Sequence, residues 1–379
     1  MRKILSILAA GIGLALSGGT AQAVSSACSL VQVHVPLCNG DPVCIAYYQT
    51  NHPECFGSSS STAASTQTIY STSGHQFQAI SNAFGARLAN RPAPVKTVSS
   101  GQFSGLAAGD TAAKWNVWGS VNADNNKYDR GGYRDSVGTL RNNTYNINVS
   151  NVVLGADYLF SADKVAGLSL SMDRSSGTGE SFNAGVSQGI STQSSKGYLL
   201  APYFGWQISD DWAMDASIGI GKADSNTDNI TGSTDRLFLG ANLSYATWRD
   251  NWQISGKGSL LHAEEKNGNL TSATGTAMAG TAVTNKINQL RMSAQANYWV
   301  NDNVAPYLGL GFSADSRSSS ASAASLLGKE LGTTAVMWSL GVDFFSVKNS
   351  LTGGISYSQE SGRTYSKYNS IMANINYSF

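Results

Sequence analysis

The residues best suited to chemistry in this sequence are four cysteines near its N-terminus. They are Cys28, Cys38, Cys44 and Cys55. His34 and His52 lie among them, so a zinc site is one interpretation, but the spacing contains no CxxC pair of the kind that structural zinc sites use. An even number of cysteines in an exported segment more commonly indicates disulfides. We therefore expect two disulfides within residues 28–55, with three connectivities open.

Candidate catalytic residues are sparse, because the chain has only four histidines. A hydrolase would need a histidine beside a nucleophile or an acid. His262, with Glu264 and Glu265 nearby, is the candidate in the C-terminal part, although a solvated loop accounts for these residues more simply. Asp124-Asn125-Asn126, together with Tyr128-Asp129, could bind calcium weakly or form a polar surface loop. We expect neither enzyme activity nor a cofactor.

The composition excludes several classes of protein. The 379 residues include 25 Lys and Arg and 24 Asp and Glu, for a net charge of +1, which lacks the basic footprint of a nucleic-acid binder. Charged residues make up only 13%, low for a soluble protein, while hydrophobic residues make up 41%. Beyond the first residues, no stretch of about 18 apolar residues could form a membrane-spanning helix. Apolar residues spread this thinly favour a transmembrane β-barrel.

The first 23 residues have the pattern of a signal peptide. Arg2 and Lys3 precede an apolar run over residues 4–16, which is too short to span a bilayer. Ala21-Gln22-Ala23 is a small-x-small cleavage site, so we expect the mature chain to begin at Val24.

Five segments are predicted after the signal peptide. The spacing of Phe77, Ile80, Phe84 and Leu88 predicts a helix that ends near Pro92. The predicted segments are a cysteine-containing module at 24–57, a Ser/Thr-rich linker at 58–75, a helix at 76–91, a connector at 92–113 and a barrel at 114–379.

Strict alternation of apolar and polar residues characterises the C-terminal part. An example is Leu168, Leu170 and Met172 alternating with Ser169, Ser171 and Asp173. Period 2 indicates strands, and the small polar partners are typical of a barrel lumen. We expect about twelve antiparallel strands: 114–122, 147–160, 165–174, 195–208, 212–223, 234–248, 252–262, 286–300, 304–314, 333–345, 351–360 and 368–379.

Connections between these strands alternate in length. Tight turns such as Ser209-Asp210-Asp211 alternate with predicted long loops such as 123–146, 175–194 and 263–285. Outer-membrane barrels have short periplasmic turns and long external loops. An interfacial aromatic girdle is predicted beside the short turns, formed by Trp206, Trp212, Trp248, Trp252 and Trp299.

The last strand carries an apolar residue at every second position up to the C-terminus. These residues are Ile371, Ala373, Ile375, Tyr377 and Phe379. The pattern predicts a lipid-facing strand that ends in an aromatic anchor.

From about residue 76 onward, the chain resembles the translocator domain of the autotransporters, the monomeric type V secretion family. The matching motifs are Gly105-Leu106-Ala107-Ala108-Gly109-Asp110, Trp115-Asn116-Val117-Trp118-Gly119, Val153-Leu154-Gly155-Ala156-Asp157-Tyr158 and Ile375-Asn376-Tyr377-Ser378-Phe379. The resemblance implies a barrel in the bacterial outer membrane whose last strand is the signal for the barrel-assembly machinery. The family usually carries a long β-helical passenger, whereas about 50 residues of mature chain precede the helix here.

Barrel geometry predicts the role of the helix. Twelve strands close into a barrel roughly 24 Å across, which leaves a bore of about 10–14 Å. An α-helix is about 10–12 Å wide, so one helix would plug the lumen. An even number of strands places both barrel termini in the periplasm, so the threaded helix would leave the cysteine segment outside the cell.

Two functions remain open. The first is a surface-display protein, which contacts outer-membrane lipid, lipopolysaccharide and an unknown surface ligand as a monomer. The alternative is a porin-like channel for small solutes with a periplasmic N-terminal segment. Within the lumen, we expect Arg87 or Arg91, which are four residues apart on one helical face, to pair with Asp157, Asp215 or Asp343.

Overall fold

The computed structural model describes residues 72–85 and 114–379, except 135–139, 162, 184–185, 228, 272–274, 276, 279–281, 302, 321–331 and 347–349. The predicted signal peptide, the four cysteines and the connector lie outside the described residues. Arg87 and Arg91 also lie outside them, so their pairing stays a prediction.

One helix, α1, covers residues 72–85 and has a length of about 21 Å. Residues 72–75 are thus helical, although their polar composition predicts linker. Thr72 and Ser73 are buried, which explains the difference, because the surrounding wall and not apolar periodicity stabilises this first turn. Among the described residues, no helix has the length and apolarity needed to cross a membrane.

The remainder of the described chain is β-structure, with twelve long strands and two short ones. The strands are β1 (Trp115–Arg134), β2 (Leu140–Ser161), β3 (Lys164–Asn183), β4 (Val186–Gln207), β5 (Trp212–Thr227), β6 (Ile230–Arg249), β7 (Trp252–Asn267), β8 (Leu270–Thr271), β9 (Ala277–Met278), β10 (Val283–Tyr298), β11 (Val304–Ser319), β12 (Thr334–Ser346), β13 (Leu351–Ser361) and β14 (Ser366–Ser378). The predicted twelve strands are confirmed.

The long strands form a closed antiparallel ring. Each pairs with the next along the chain, β7 pairs directly with β10, and the short β8–β9 hairpin lies beside β6. The ring closes where β1 pairs with β14, from Asn116 opposite Ser378 to Tyr128 opposite Ser366. The predicted all-β fold, a twelve-stranded barrel, is therefore confirmed.

The two ends of the barrel differ. One end, the short-turn end, carries connections such as residues 208–211 and 250–251, together with the start of β1 and the end of β14. At one of its turns, a hydrogen bond from Ser161 Oγ lowers the pKa of the Asp163 carboxyl. The opposite end, the hairpin end, is where β1 to β4 extend to 20 or 22 residues each.

Several predicted long loops are strand hairpins instead. Most of residues 123–146 and 175–194 belong to β1–β2 and β3–β4. Ser, Thr, Asn and Gly are frequent in these segments, so the apolar outer positions disappear while the backbone ladder continues. The sequence signal therefore ends before the strands do.

Strand alternation gives the barrel an apolar outer face and a polar inner face. On β3, Leu168, Leu170 and Met172 are exposed on the outside, while Ser169 and Ser171 are buried inside. Of the predicted girdle, Trp212 and Trp252 are exposed at the short-turn end. Trp299 is instead buried and stacks on Phe345 at 4.4 Å between ring centroids.

The C-terminal residue takes part in ring closure. The Trp115 N–H donates to the Phe379 carbonyl at 3.1 Å, and the Phe379 N–H donates to the Trp115 carbonyl at 2.9 Å. The Phe379 side chain is 58% exposed on the outer face, like those of Ile371, Ile375 and Tyr377. The terminal residue thus supplies both a backbone pairing and an outer aromatic group.

Deleting Phe379 should remove both terminal hydrogen bonds and the aromatic group at the seam. We expect most of the folded protein to be lost from the outer-membrane fraction, measured by heat-modifiable mobility on gels. Phe379→Tyr, which keeps the backbone pairing and the ring, is the control and should assemble normally. Normal outer-membrane levels of the deletion variant would contradict this role.

Candidate functional site: the lumen and its helix

Helix α1 lies inside the barrel. Gln76 Nε2 donates to Ser169 Oγ of β3 and to the Leu199 carbonyl of β4, each at 3.1 Å. From the opposite wall, Arg291 Nη1 of β10 donates to Gln78 Oε1 at 3.4 Å. Contacts with opposite sides of a closed ring place the helix in the lumen, as the sequence predicts.

The helix runs from the hairpin end towards the short-turn end. Near its N-terminus, His75 Nε2 lies 2.8 Å from the Tyr368 hydroxyl and also contacts the Asp124 carboxylate, well into β1. Near its C-terminus, Phe84 packs on Gly205, two residues before the end of β4. The first described residues of α1 therefore face the hairpin end.

Two glycines of the wall accommodate the aromatic residues of α1. Phe77 and Phe84 are both buried, and each ring covers a glycine. A Cβ atom at Gly240 would lie 2.3 Å from Phe77 Cε2, and one at Gly205 would lie 2.3 Å from Phe84 Cε2. These glycines are needed because any larger residue would occupy the space of the rings.

A charged cluster holds the middle of the helix. Ser81 Oγ donates to Asp215 Oδ1 at 3.0 Å, and Asn242 Nδ2 donates to Asp215 Oδ2 at 2.7 Å. Lys257 Nζ donates to Ser81 Oγ at 3.1 Å and to Asn82 Oδ1 at 3.4 Å. Ser81 thus bridges the buried carboxylate of Asp215 and the partly buried ammonium group of Lys257, and the ammonium charge offsets the cost of burying the carboxylate.

Lys257 is a functional residue that the sequence analysis missed. It lies on the inward-facing positions of β7, two residues from Ser255 and Ser259. Strand parity alone could have placed it in the lumen. Its partner on the helix depends on how far around the ring β7 lies from α1, which alternation does not reveal.

The three aspartates predicted to face the lumen all do so. Besides Asp215, Asp157 is buried and accepts hydrogen bonds from the Tyr203 hydroxyl at 2.8 Å and from Asn116 Nδ2 at 3.1 Å. Asp343 accepts a hydrogen bond from Asn297 Nδ2 at 3.1 Å. These contacts tie neighbouring parts of the wall together near the short-turn end.

Buried ion pairs brace the lumen towards the hairpin end. Arg236 of β6 contacts Asp173 of β3 at 2.6 Å and Glu265 of β7 at 2.9 Å. Across the lumen, Arg363 contacts Asp315 at 2.7 Å and Glu360 at 2.8 Å. Glu360 is three residues from Arg363, whereas Asp173, Glu265 and Asp315 are distant in sequence from their arginine partners, so only inward strand parity could have suggested them.

Strand alternation separates the candidate catalytic residues. His262 faces outward, where its Nδ1 lies 2.7 Å from Asn288 Oδ1. Glu264 contacts Lys286 at 3.0 Å, whereas Glu265 points inward to Arg236. His262 and Glu264 thus share the outer face, whereas Glu265 lies on the inner face with Arg236.

The predicted calcium run is also divided by the strand. Residues 124–126 belong to β1, and Asp124 faces inward while Asn125 bonds to Asn146 and Asn148. Within the described residues, no group of three His, Cys, Asp or Glu side chains could hold a metal ion.

The helix does not fill the lumen evenly. A polar cavity of about 180 Å³ lies between α1 and the wall from β7 through β10 to β14, lined in part by Gln78, Lys257, Arg291 and Glu360. The apolar side of α1 packs on the opposite wall. The cavity has room for water but not for a second helix.

Enlarging the two glycines under the rings should loosen the helix. We expect Gly205→Ala/Gly240→Ala to cost roughly 1–3 kcal/mol of stability through overpacking and to raise ion conductance in planar bilayers. Gly258→Ala is the matched control, because nothing lies within 4 Å of its Cβ position. If the double variant conducts no more than the control, the rings do not hold the plug.

Comparisons with known proteins agree with this geometry. A family model described as the autotransporter beta-domain matches residues 117–358. The translocator domain of autotransporter NalP from Neisseria meningitidis superposes with a TM-score of 0.59 at 15% identity, covering 85% of this chain and 100% of that one. The beta domain of the Bordetella autotransporter BrkA gives a TM-score of 0.51 at 13% identity, covering 70% of this chain and 100% of that one.

No curated protein matches the sequence significantly. At such low identities the solved structures show a shared fold, while the family model covers well over half of the chain. The chain therefore belongs to the autotransporter beta-domain family and forms an autotransporter-type barrel of the bacterial outer membrane.

Proposed function

We propose that this barrel carries its own N-terminal segment through the outer membrane and displays it at the cell surface, with α1 remaining in the lumen as a plug. The observation that carries the proposal is the direction of α1. His75 lies on the hairpin-end side of the helix and Phe84 on the short-turn side. In outer-membrane barrels the short turns are periplasmic, so residues before α1 would emerge outside.

The path of the chain supports this arrangement. Residue 85, the last described residue of α1, lies towards the short-turn end, and β1 starts at that same end, so residues 86–113 need not cross the membrane again. On the other side, residues 58–71 could extend for about 45 Å, which is enough to pass the hairpin end. The predicted disulfide-held module at 24–57 would then lie outside the cell.

The contacts of α1 also support a passive role for the barrel. The helix occupies the lumen, and its Ser81 links the buried Asp215 to the partly buried Lys257. We assign no chemical step, catalytic residue or cofactor to the barrel. The displayed segment would supply the interaction with a surface ligand, and the barrel-assembly machinery would recognise the strand ending at Phe379.

The competing function is a solute channel with a periplasmic N-terminal segment, for which the polar cavity beside α1 is the favourable observation. That function requires the residues before α1 to leave the lumen at the short-turn end. The helix would then have to run in the opposite direction, which its contacts with Asp124 and Gly205 disfavour.

An epitope tag inserted between residues 64 and 65 should be accessible to antibody on intact cells, because this linker would lie outside. The same tag placed between Asp210 and Asp211, in a short turn, is the matched control and should react only after permeabilisation. Added protease should also remove residues preceding α1 from intact cells. A linker tag that needs permeabilisation would refute surface display and favour the channel.

A further inference from the structure

The outer face of the barrel carries a group of basic residues directly beside its apolar surface. Arg174 of β3 lies opposite Lys196 of β4 in the strand register, and both side chains are exposed. The next outward pair towards the short-turn end is Met172 and Tyr198, 48% and 50% exposed. Lys222 of β5 lies opposite Tyr198. Three cations therefore surround one exposed tyrosine at the border of the apolar face.

The pair Arg174 and Lys196 differs in charge balance from Lys222, which contacts Asp235 at 3.6 Å, and from Lys266 and Lys286. Like charges directly opposite each other on neighbouring strands repel. Lys286 contacts Glu264 at 3.0 Å and Lys266 contacts it at 3.3 Å. In the described part of the chain, neither Arg174 nor Lys196 makes such an ion pair, although Asp224 lies opposite Lys196 in the register. The pair is thus suited to an external anion.

We propose that Arg174 and Lys196 bind a phosphate of an outer-leaflet glycolipid, the lipid A part of lipopolysaccharide, whose acyl chains lie along the apolar face below. A guanidinium group can bind phosphate with two parallel hydrogen bonds, and the ammonium group adds a second charge. Basic residues at a membrane surface are a known means of recognising anionic headgroups.

The neighbouring side chains fit such a lipid on both sides of the charged pair. Ser176 and Ser194, opposite each other and exposed, lie one outward step further from the short-turn end and can donate hydrogen bonds to sugar or phosphate oxygens. On the opposite side, Leu170 and Leu200 continue the apolar face, with 38% and 39% of each side chain exposed. Hydroxyls, charges and apolar groups thus follow the order of a phosphorylated sugar headgroup and its acyl chains.

A second pair of opposed cations lacks this order. Lys127 of β1 lies opposite Lys367 of β14, and both are exposed. The next outward residues towards the short-turn end are Asn125 and Asn369, which are polar. Acyl chains would therefore not begin directly below this pair, and we assign the site to β3 and β4. The assignment does not depend on surface display of the N-terminal segment.

The test uses the purified full-length barrel in detergent and bis-phosphorylated lipid A as the probe, with bound lipid counted by native mass spectrometry. We expect wild type to hold lipid A and Arg174→Gln/Lys196→Gln to bind it about tenfold more weakly, or weaker still. The matched control, Lys266→Gln/Lys286→Gln, removes two outward cations that already contact Glu264 and should stay within about twofold of wild type.

Further probes identify the source of the phosphate. Enzymatically dephosphorylated lipid A should bind wild type and the Arg174–Lys196 variant equally weakly, and millimolar inorganic phosphate should not displace lipid A. Equal binding of phosphorylated lipid A by wild type and variant would overturn the proposal. Displacement by inorganic phosphate would overturn it too, because the site would then be for the free anion. If the double variant fails a heat-modifiability test of folding, the single variants Arg174→Gln and Lys196→Gln should each weaken binding by about threefold.

Discussion

Closure of the strand ladder is the constraint on which the rest of this structure depends. A barrel in a membrane must pair every backbone N–H and C=O within the sheet, because the lipid offers no hydrogen-bond partners. Here the last pairing is made by Trp115 and Phe379, at the two ends of the barrel sequence. Once the ring is closed, alternation assigns each side chain to lipid or lumen. Twelve strands also limit the bore to roughly the width of one helix.

Residues of the lumen wall then determine both the position and the direction of that helix. Glycines at 205 and 240 create space for Phe84 and Phe77 on one wall only, which accounts for the polar cavity on the other side. The pairing of Ser81 with Asp215 and Lys257 adds a charged contact where partial desolvation makes an uncompensated charge expensive. A reversed helix would place these groups against the wrong strands. These contacts with the wall therefore fix the direction of α1 within the closed barrel.

Much of this architecture follows from the sequence. Period-2 alternation identifies the twelve strands and the inward direction of Asp157, Asp215 and Asp343, because one face must meet lipid. The signal fails in the hairpins of β1 to β4, whose outer faces are mainly polar, and at Thr72 and Ser73, whose composition resembles linker. Contacts such as His75 with Asp124, or Arg236 with Asp173, depend on which strands meet across the closed ring. Local patterns cannot reveal those partners.

Engineered disulfide cross-linking in the outer membrane tests the position and direction of α1 most directly. The background is the full chain with its four native cysteines changed to serine, since residues 72–379 contain no cysteine. We expect the pair His75→Cys and Asp124→Cys and the pair Phe84→Cys and Gly205→Cys each to yield a linked peptide by mass spectrometry. The exchanged pairs, 75 with 205 and 84 with 124, should yield none. Links in the exchanged pairs alone would show a reversed helix. Links in no pair would show that the helix lies outside the lumen. Either result would contradict the position and direction of α1 described above.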